Sequence, residues 1–401
     1  MHTGPSHLLS QRWMLRCRTS NIIKTVMSFH TRVLKVRKES ITFSGDVPQI
    51  SDAETLENLR LAASHVRQSG SIVAFPTETV YGLGGSALDD DSVRAIYTAK
   101  NRPADNPLIV HVASVDQIQR LILPSLRQIP AVYEKLIAKF WPGPLTILLP
   151  IEEGSPVLQL VTAGQNTVGV RMPSDAVARA LIALSDTPLA APSANASTRP
   201  SPTLAEHVLY DLDTRIPYIL DGGPCTVGVE STVVDGLVSP PMLLRPGGVS
   251  PEQIRESGGD GWSDVILAKK TAGKSEPVRT PGMKYRHYSP TARVILFVGC
   301  GDGRTAVRKY VDQHPGRVAL LRSKQFVPAS DMGISVLSDK EMGTSAAEVA
   351  RNLFRLLREV DESGVDMILV EAVDEVGDGL AVMNRLSKAA SETVVGKGDC
   401  N

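Results

Sequence analysis

The chain has 401 residues, enough for two or three domains at about 100–200 residues each, and 42% of its residues are hydrophobic. Its 43 Lys and Arg are balanced by 43 Asp and Glu, so no net field draws the whole molecule to nucleic acid or to a membrane, and any anion site must be local. The four cysteines lie far apart without zinc spacing, which favours a reduced compartment. No apolar run is long enough to span a bilayer.

The N-terminal segment differs in composition from the rest of the chain. Residues 1–38 contain no Asp or Glu, and their Arg and Lys are interleaved with apolar residues. This composition is typical of an organelle transit peptide, and a disordered basic tail is the alternative. Met27 lies inside the segment, so we expect starts at Met1 and Met27 to supply both mitochondria and cytosol. We interpret residues 1–50 as a disordered targeting extension.

Apolar periodicity predicts a mixed α/β domain over residues 51–256. Its first helix is expected between Asp52 and Gly70. A second helix begins at the potential caps Asp90 and Asp91 and ends before Pro103. Further helical runs cover residues 129–140, 176–184 and 204–212. Strand-like runs cover residues 71–75, 108–112, 145–149, 167–171, 189–191, 218–220, 231–234 and 242–244.

Beyond this domain the residue composition and the apolar periodicity of the sequence change twice. Residues 257–290 are dominated by Gly, Lys, Ser and Pro and are interpreted as a long linker, a kind of segment that is often functional. Residues 291–396 again alternate strand and helix patterns, which predicts a smaller α/β domain with a parallel sheet. The expected elements are strands at residues 293–298, 318–321 and 365–370 and an amphipathic helix at residues 346–360.

Two glycine-rich segments resemble nucleotide-binding motifs, but their contexts fail. Residues 268–275 match a loose Walker A pattern, yet Pro277 and Pro281 follow where a P-loop needs a helix. A basic linker explains this run better. Residues 299–303 follow a strand, but the third glycine is misplaced for a dinucleotide turn, so a tight βα turn is favoured.

Several polar residues stand at predicted strand ends or on short loops bounded by Pro. Residues 75–84 crowd Thr, Glu and Tyr beside turn glycines, which suits a small polar ligand, although a plain strand-turn-helix connection would also fit. His111 lies inside an apolar strand, where a lone His is usually a satisfied core residue. Arg171 ends another strand, and an Arg in such a place is normally paired with Asp, Glu or a ligand carboxylate.

The cationic residues of these strand ends and loops are Lys100, Arg102, Arg171 and Arg245. Arg offers a planar fork for bidentate contacts and Lys a compact charge, and both suit phosphate. No Ser-His-Asp order, HExxH motif or metal cluster competes with them in the sequence. The pattern therefore favours a polyanionic ligand together with a carboxylate, such as a nucleotide triphosphate with an amino acid.

Six short motifs follow one another along the chain. They are residues 75–84, Lys100-x-Arg102 with residues 106–108, residues 141–146, residues 170–173, Ser193-x-Asn195, and residues 228–232. Together they resemble the YrdC family. Residues 281–290, followed by the second α/β domain, resemble the longer two-domain form of that family. The resemblance covers about residues 52–395 and leaves only the N-terminal extension outside.

The resemblance implies a twisted, mixed sheet with flanking helices around a concave cationic cleft, plus a smaller Rossmann-like C-terminal domain. By matching motif positions, it implies a threonine-contacting group made of Thr79, His111, Arg171, Ala191 (through its backbone) and Ser231. It implies an ATP-contacting group made of Arg102, Asn106, Thr167, Ser193, Ser201 and Arg245. Lys100 and Arg102 would be the catalytic cations near the phosphates, Asn195 would shape the loop, and Tyr285, His287 and Tyr288 would belong to a lid.

The activity implied by the resemblance is that of a nucleotidyltransferase. L-threonine, bicarbonate (or CO2) and ATP, with Mg²⁺, would give threonylcarbamoyl-AMP, diphosphate and water. The product is the intermediate for N6-threonylcarbamoyladenosine at position 37 of tRNAs that read ANN codons. This product would pass to a tRNA threonylcarbamoyl transferase. For the protein itself, no resident metal site and no association with a membrane are expected. Direct contact of the protein with RNA is left open.

Two other functions are weighed against this one. An RNA-binding module without chemistry would suit the cationic surface, but the cationic motifs lack interleaved exposed aromatics for base stacking. A carbamoyl-transfer enzyme that uses carbamoyl phosphate would be expected to carry acylphosphatase and zinc-finger segments, and the sequence shows neither.

Overall fold

The computed structural model describes residues 30–104, 106–125, 128–151, 154–268 and 287–396. These residues form two α/β units, each built on its own sheet. The N-terminal residues 1–29, with both proposed start codons, and residues 269–286 of the predicted linker lie outside the described residues. So does most of the Walker A-like run.

The first unit contains a large mixed sheet and a separate hairpin. Its strands in chain order are β1 (Arg32–Lys35), β2 (Ile41–Ser44), β3 (Val47–Ile50), β4 (Ile72–Phe75), β5 (Gly82–Ser86), β6 (Ile109–His111), β7 (Leu145–Pro150), β8 (Thr167–Arg171), β9 (Leu189–Ala190), β10 (Tyr218–Asp221), β11 (Thr232–Asp235), β12 (Met242–Arg245) and β13 (Ile266–Leu267). Within the described ranges the sheet has eleven strands, in the order β1-β10-β4-β5-β9-β6-β8-β7-β11-β12-β13, and β2 pairs with β3. Parallel and antiparallel neighbours are mixed, as the resemblance implied.

Helices cover both faces of this sheet. In chain order they are α1 (Ala53–Val66), α2 (Asp90–Lys100), α3 (Val115–Leu121), α4 (Glu134–Phe140), α5 (Gln159–Thr162), α6 (Ala176–Ser185), α7 (Ala205–Leu212) and α8 (Pro251–Gly258). Helices α1 and α6 pack together against one face, while α2, α3, α4 and α7 bury their apolar residues against the other. Central strands are therefore apolar throughout, as in β4, where all four residues are buried.

Short polar side chains fix where several of these helices begin. The carboxylate of Asp52 accepts a hydrogen bond from Thr55 N and starts α1 as predicted. Helix α2 is capped by Asp89, which accepts from Ser92 N, and not by the predicted Asp90 or Asp91. Asp90 and Asp91 instead occupy the first turn, where their charges face the positive end of the helix dipole.

The second unit is a smaller, parallel α/β domain, as predicted. Its strands are β14 (Arg293–Val298), β15 (Val318–Arg322), β16 (Ser338–Glu341), β17 (Met367–Glu371) and β18 (Glu392–Val395), and its helices are α9 (Arg304–Gln313), α10 (Ala329–Met332), α11 (Ala346–Glu362) and α12 (Asp378–Ala389). All strand pairs are parallel, in the order β16-β15-β17-β14-β18. Helices α9 and α10 cover one face of the sheet, and α11 and α12 cover the other.

Helices α11 and α12 also pack against the first unit. Val80 and Val229 of the first unit share one buried apolar cluster with residues of both helices. Gly228 permits the close approach, because a Cβ on it would lie 2.5 Å from the carbonyl oxygen of Ala350 on α11. The Nε of Arg351 donates to the carbonyl of Thr226 over 3.0 Å. The smaller domain is therefore seated directly on loops of the larger one.

Two predicted domain boundaries differ from the structure. Residues 32–50, assigned to the disordered extension, contain three strands, and β1 joins the edge of the large sheet beside β10. The acid-free composition of residues 1–38 concealed β1, because its partner β10 lies far along the chain. Strand β13, assigned to the linker, pairs with β12 and extends the same sheet.

The predicted helices and strands of both units are confirmed in type, with small shifts at their ends. The main error lies in the segment of residues 75–84, whose glycines were interpreted as a turn, whereas Gly82–Ser86 form strand β5. Among the described helices, none combines the length and the apolar character needed to cross a bilayer.

Candidate active site

One pocket on the large sheet gathers most of the predicted site residues. The lining comes from the ends of β4, β6, β8 and β12, the loop after β9, the loop before β11 and the segment that enters the second unit. The lining residues are Thr77, Thr79, Val80, Gly82, Arg102, Ile109, His111, Arg171, Ala191, Pro192, Ser193, Glu230, Ser231, Arg245, His287 and Tyr288. All five residues of the predicted threonine group are among them.

His111 and Arg171 are neighbours because β6 and β8 run parallel in matching register. His111 is the Cα partner of Arg171, and Ile109 is the partner of Gly169. Residues two apart on a strand project from the same face, so Ile109 and His111 line the pocket together while Val110 packs into the core. Burial, followed by the charge of Arg171, lowers the pKa of His111 to about 3, so this ring is neutral at physiological pH.

The guanidinium of Arg171 is held from three directions. Its Nη2 lies 2.7 Å from Glu78 Oε1, its Nη1 donates to Thr79 Oγ1 over 2.9 Å, and its Nε donates to the carbonyl of Gly143 over 3.2 Å. Thr79 Oγ1 lies 2.8 Å from Thr77 Oγ1. This buried network fixes a cation and two hydroxyls at one end of the pocket, and such a group suits a carboxylate with a neighbouring hydroxyl.

A second arginine is fixed beside Ser231. Arg245 donates from Nε and from Nη2 to the carbonyl of Ser231, over 3.0 and 2.9 Å, and its Nη2 also donates to Ser231 Oγ over 3.0 Å. The Ser231 hydroxyl lies 2.8 Å from Thr146 Oγ1. Burial lowers the pKa of Arg245 to about 10, so the group keeps its charge at neutral pH.

The spacing of the Lys-x-Arg motif is explained by the end of α2. Lys100 occupies the last turn, and Asn101 ends the helix in the left-handed conformation, with φ 51°. The chain then turns so that Arg102 lines the pocket. The Nζ of Lys100 is turned away to the loop after β9, where it donates to the carbonyl of Ser193, to the carbonyl of Asn195 over 2.6 Å and to Asn195 Oδ1 over 3.3 Å.

Lys100 therefore holds the loop after β9, which carries Ser193, and does not itself line the pocket. It is 2% exposed, and burial lowers the pKa of its ammonium well below the usual value. Asn195 shapes the same loop, as expected, because its Nδ2 donates to the carbonyls of Ala196 and Arg199, each over 2.9 Å. A catalytic role for Lys100 stays a prediction, and its geometry is that of a residue that positions Ser193.

The predicted ATP group is only partly brought together. Arg102, Ser193 and Arg245 line the pocket, while Asn106, Thr167 and Ser201 do not. Asn106 is buried just after the Lys-x-Arg motif, and Thr167 is half-buried at the start of β8. Ser201 is fully buried and reaches the pocket only through Glu230, because its Oγ donates to Glu230 Oε1 over 2.6 Å.

The described part of the predicted lid lies over the pocket. His287 and Tyr288 line it, while Tyr285 lies outside the described residues. The ring of Tyr288 packs on Phe354 of α11 with centroids 5.2 Å apart. The next residue, Ser289, donates its N–H to the carbonyl of Thr198 over 2.8 Å. This segment thus joins the pocket, the loop after β9 and the second unit.

Sequence reasoning missed two carboxylates at this site: Glu230, which lines the pocket, and Glu78, which pairs with the lining residue Arg171. Glu78 lies in the motif of residues 75–84 and Glu230 in that of residues 228–232. The expectation that an arginine at a strand end pairs with an acid could have identified both. Burial raises the pKa of Glu230, but the charges of Arg385 and Arg245 and the Ser201 hydroxyl outweigh it and lower the value to about 2. Both oxygens of Glu230 are engaged, by Ser201 and by Arg385. Within the described ranges, no cluster of three or more His, Cys, Asp or Glu could hold a metal.

Comparisons with known proteins cover both units. The Sua5/YciO/YrdC family model, described as Telomere recombination, matches residues 65–247. A second model, described as Threonylcarbamoyl-AMP synthase, C-terminal domain, matches residues 249–391. A Schizosaccharomyces pombe protein named Threonylcarbamoyl-AMP synthase is 49% identical, over 91% of this chain and 97% of its own length. A Pyrococcus abyssi protein of the same name is 46% identical, over 84% of this chain and 95% of its own length.

A solved structure extends the likeness to three dimensions. The crystal structure of P. abyssi Sua5 complexed with L-threonine aligns with a TM-score of 0.77 at 42% identity, over 90% of this chain and 99% of that one. Both units and their order are therefore shared with a protein that binds threonine. With two family models in tandem and relatives matched over nearly their full length, this chain belongs to the Sua5/YciO/YrdC family, in its two-domain form with a Sua5 C-terminal domain.

Proposed function

We propose that this chain is a threonylcarbamoyl-AMP synthase. It converts L-threonine, bicarbonate and ATP into threonylcarbamoyl-AMP, diphosphate and water, and the product serves N6-threonylcarbamoyladenosine formation in tRNA. The observation that carries the proposal is that one pocket is lined both by Arg171 and Thr79, which suit threonine, and by Arg102 and Arg245, which suit a triphosphate. Relatives that carry the name of this activity and the threonine-bound P. abyssi structure support it.

Threonine is assigned to the Arg171 end of the pocket. The guanidinium binds the substrate carboxylate, because it is a planar donor on the pocket that Thr79, of the lining, and Glu78, outside the lining, hold in place. Glu78, next to it, suits the substrate amine. Thr79 and Ser231 offer hydroxyls to the substrate hydroxyl, and the backbone of Ala191 closes the site. Neutral His111 lines the same pocket without adding charge.

ATP is assigned to the end formed by Arg102, Ser193 and Arg245. The two guanidinium groups face the triphosphate, and Ser193 lies on the loop that Lys100 holds from below. Ser201 and Asn106 support this end from behind, one through Glu230 and the other beside the Lys-x-Arg motif. Mg²⁺ would enter bound to the ATP phosphates, since both oxygens of Glu230 are already engaged and Mg²⁺ commonly relies on substrate phosphates.

The chemistry follows from this arrangement in two steps. The threonine amine takes up CO2 from bicarbonate, releasing water and forming an N-carboxy group. One oxygen of that group then attacks the α-phosphorus of ATP while the bond to the diphosphate breaks. Negative charge develops on the phosphoryl oxygens, and fixed guanidinium groups stabilise it without reorganisation. Holding the two substrates side by side supplies much of the remaining acceleration.

The segment with His287 and Tyr288 acts as a lid in this proposal. N-carboxy amino acids lose CO2 readily, and the mixed anhydride product hydrolyses, so water must be kept from the pocket. Both side chains lie on the pocket, and burial, followed by the charge of Arg102, lowers the pKa of His287 to about 4. A neutral imidazole and a phenol can cover the substrates without competing for the phosphates.

Two further parts of the proposal concern the setting of the reaction. The product passes to a transferase that modifies tRNA, because an unstable adenylate needs an acceptor close at hand. The basic, acid-free residues that precede β1 direct the Met1 form to mitochondria, while the Met27 form stays in the cytosol. Import assays on the Met1 and Met27 forms test the second part, and equal import of both would overturn it.

A single incubation tests the activity. The purified chain is mixed with ATP, labelled bicarbonate and L-threonine, and the nucleotide products are separated. We expect a labelled AMP adduct that requires threonine and appears together with diphosphate. Incubation with carbamoyl phosphate in place of bicarbonate is the control. Label in the adduct only from carbamoyl phosphate would favour the carbamoyl-transfer alternative, and RNA binding without any adduct would favour the RNA-binding module.

A further inference from the structure

An arginine of the second unit lies directly behind the wall of the pocket. Arg385 stands on α12 and is only 1% exposed. Its Nε donates to Glu230 Oε2 over 2.9 Å, and its Nη1 donates to the carbonyl of Pro246. Its Cζ also lies 5.9 Å from the ring centroid of Tyr288. Glu230 and Tyr288 both line the pocket, so Arg385 contacts two of its walls from outside.

Glu230 is an acidic residue of the pocket lining that contacts one of the predicted ATP residues. One oxygen accepts from Ser201 Oγ and the other from Arg385, so the carboxylate joins a predicted ATP residue to the second unit. The charged and titratable groups that face Glu230 are Arg245 on β12, Arg385 and Lys388 on α12, and His287 and Tyr288 of the lid segment. Of these, Arg385 forms the ion pair with it.

A buried carboxylate beside a triphosphate site needs a neutralising partner. If it carries its charge alone, it repels the phosphates in a medium of low dielectric constant, and its own desolvation is uncompensated. Arg385 supplies that charge from the C-terminal domain. The domain therefore completes the electrostatics of the pocket, although none of its own helices or strands lines it.

We propose that Arg385 is a positioning residue for the reaction: by neutralising Glu230 it keeps the ATP end of the pocket cationic and holds Ser201 in place. The inference rests on the proposed function for the identity of the ligand. It assigns to the C-terminal domain a definite electrostatic contribution to ATP binding. The active site then depends on how α12 is seated on the first unit.

A second buried arginine offers a matched control. Arg358 on α11 is also 1% exposed, and it joins the two units by donating to the carbonyl of Pro200 and to Asp211. Asp211 does not line the pocket. Loss of either arginine weakens the contact between the units, but only loss of Arg385 leaves an acidic pocket residue without its ion pair.

The variant Arg385→Met has a pH-dependent signature. Without Arg385, the positive charge that contributes most to lowering the pKa of Glu230 is lost, and that pKa rises. Below the new pKa the protonated side chain does not repel phosphate, and above it the carboxylate does. We therefore expect the KM for ATP, and the dissociation constant of a non-hydrolysable ATP analogue, to rise by about tenfold as the pH is raised through this new pKa, beyond any change in the wild type.

The double variant Glu230→Gln/Arg385→Met separates charge from structure. Glutamine still accepts the Ser201 hydrogen bond but carries no charge, so ATP affinity should return to within about threefold of wild type across the pH range. Lys388 also faces Glu230: burial, followed by the charges of Arg385 and Arg245, lowers its pKa to about 7, while Glu230 raises it. Because its titration differs between the two variants, both are also compared in a Lys388→Met background. Arg358→Met should lose thermal stability without this pH dependence.

The outcomes are distinct. If the wild-type chain forms no adenylate, the proposed function fails, whatever the variants do. If it does, pH-independent ATP binding by Arg385→Met, or failure of the double variant to restore affinity, overturns the inference. Should Arg385→Met not fold, the comparison of Glu230→Gln with wild type remains. Removing the carboxylate alone must then leave ATP binding equal or tighter, and weaker binding would overturn the inference.

Discussion

Arg171 and Glu78 form a buried ion pair, with Nη2 and Oε1 2.7 Å apart and side chains 4% and 7% exposed. The pair lies at the end of the pocket assigned to threonine, next to the Thr79 hydroxyl. Two opposite charges at one site match the two charges of an amino-acid zwitterion. The same geometry ties the stability of the first unit to the site that binds substrate.

This pair predicts that stability and substrate binding separate in a double variant. Arg171→Met should lower the free energy of unfolding by about 3–5 kcal/mol, because Glu78 is left buried and uncompensated. The double variant Glu78→Gln/Arg171→Met should recover most of that lost stability. Its KM for threonine should stay raised by about a hundredfold, because the substrate carboxylate has lost its bidentate donor. Chemical denaturation and steady-state kinetics measure the two quantities. Recovery of threonine binding in the double variant would refute the assignment.

Arg102 provides a test of the ATP end. Arg102→Ala should lower the rate of diphosphate release in the presence of threonine and bicarbonate by about a hundredfold or more, because charge on the transferring phosphoryl group loses a fixed donor. Arg304→Ala is a suitable control, since that arginine is exposed on α9 and pairs with Asp302. Unchanged diphosphate release from Arg102→Ala would show that the phosphates lie elsewhere.

Thr79 provides a test of amino-acid selection. The side chain is fully buried, and its Oγ1 is hydrogen-bonded both to Thr77 Oγ1 and to Nη1 of Arg171. Thr79→Val conserves shape but removes the hydroxyl, so the preference in kcat/KM for threonine over 2-aminobutyrate, which lacks the β-hydroxyl, should fall by about tenfold. Thr42→Val, on the exposed face of the β2-β3 hairpin, is the control. Equal discrimination by wild type and Thr79→Val would remove Thr79 from the site.

The pKa of His111 predicts how stability depends on pH. Its folded value of about 3 lies below the unfolded value of 6.5, so the unfolded chain binds more protons between these values and stability falls as pH decreases from neutral. Between about pH 7 and about pH 5 this one group should remove about 2 kcal/mol from the free energy of unfolding. His111→Gln should show a shallower decrease over this range in denaturation curves. An identical slope in the two proteins would contradict the assigned burial of the neutral ring.

Sequence reasoning predicted the pocket because its residues come from short motifs at strand ends. Arg171 ends β8 and Thr79 lies on the loop after β4, 92 positions earlier, and each was assigned to the same site through its own motif. The pairing of Glu230 with Arg385, 155 positions away, could not be found in this way. Periodicity predicts which face of an element is buried but not which residue of another domain it meets, and α12 was not among the predicted helices.

Strand β5 was mispredicted for a different reason. Its run of glycines lacks the β-branched residues that usually indicate a strand. The structure needs glycine there because the ring of Phe75 crosses the strand: a Cβ on Gly84 would lie 2.6 Å from Cε1 of that ring. Glycine is required at position 84 by close packing between neighbouring strands, and a single sequence does not reveal such a contact.

Tyr288 supplies a test of the lid. Its backbone φ is 63°, a left-handed conformation that is unfavourable for a bulky residue and persists only where its surroundings impose it. Here Phe354 and the pocket wall hold the ring in place. Tyr288→Ala should open the pocket to water, so the N-carboxy intermediate loses CO2 before it reacts. We therefore expect the bicarbonate concentration at half-maximal rate to rise by about tenfold, with a smaller loss of rate at saturating bicarbonate.

The matched variant Tyr288→Phe distinguishes cover from hydrogen bonding. It keeps the ring at the pocket and removes only the hydroxyl. In the wild type, burial, followed by the charge of Glu230, raises the pKa of this hydroxyl to about 12. If the ring excludes water, the phenylalanine variant should need about as much bicarbonate as the wild type. If the hydroxyl is what matters, both variants should be impaired alike, because each loses the same polar group. A rate loss in Tyr288→Ala that is the same at low and at high bicarbonate would show that the ring orders the pocket without protecting the intermediate.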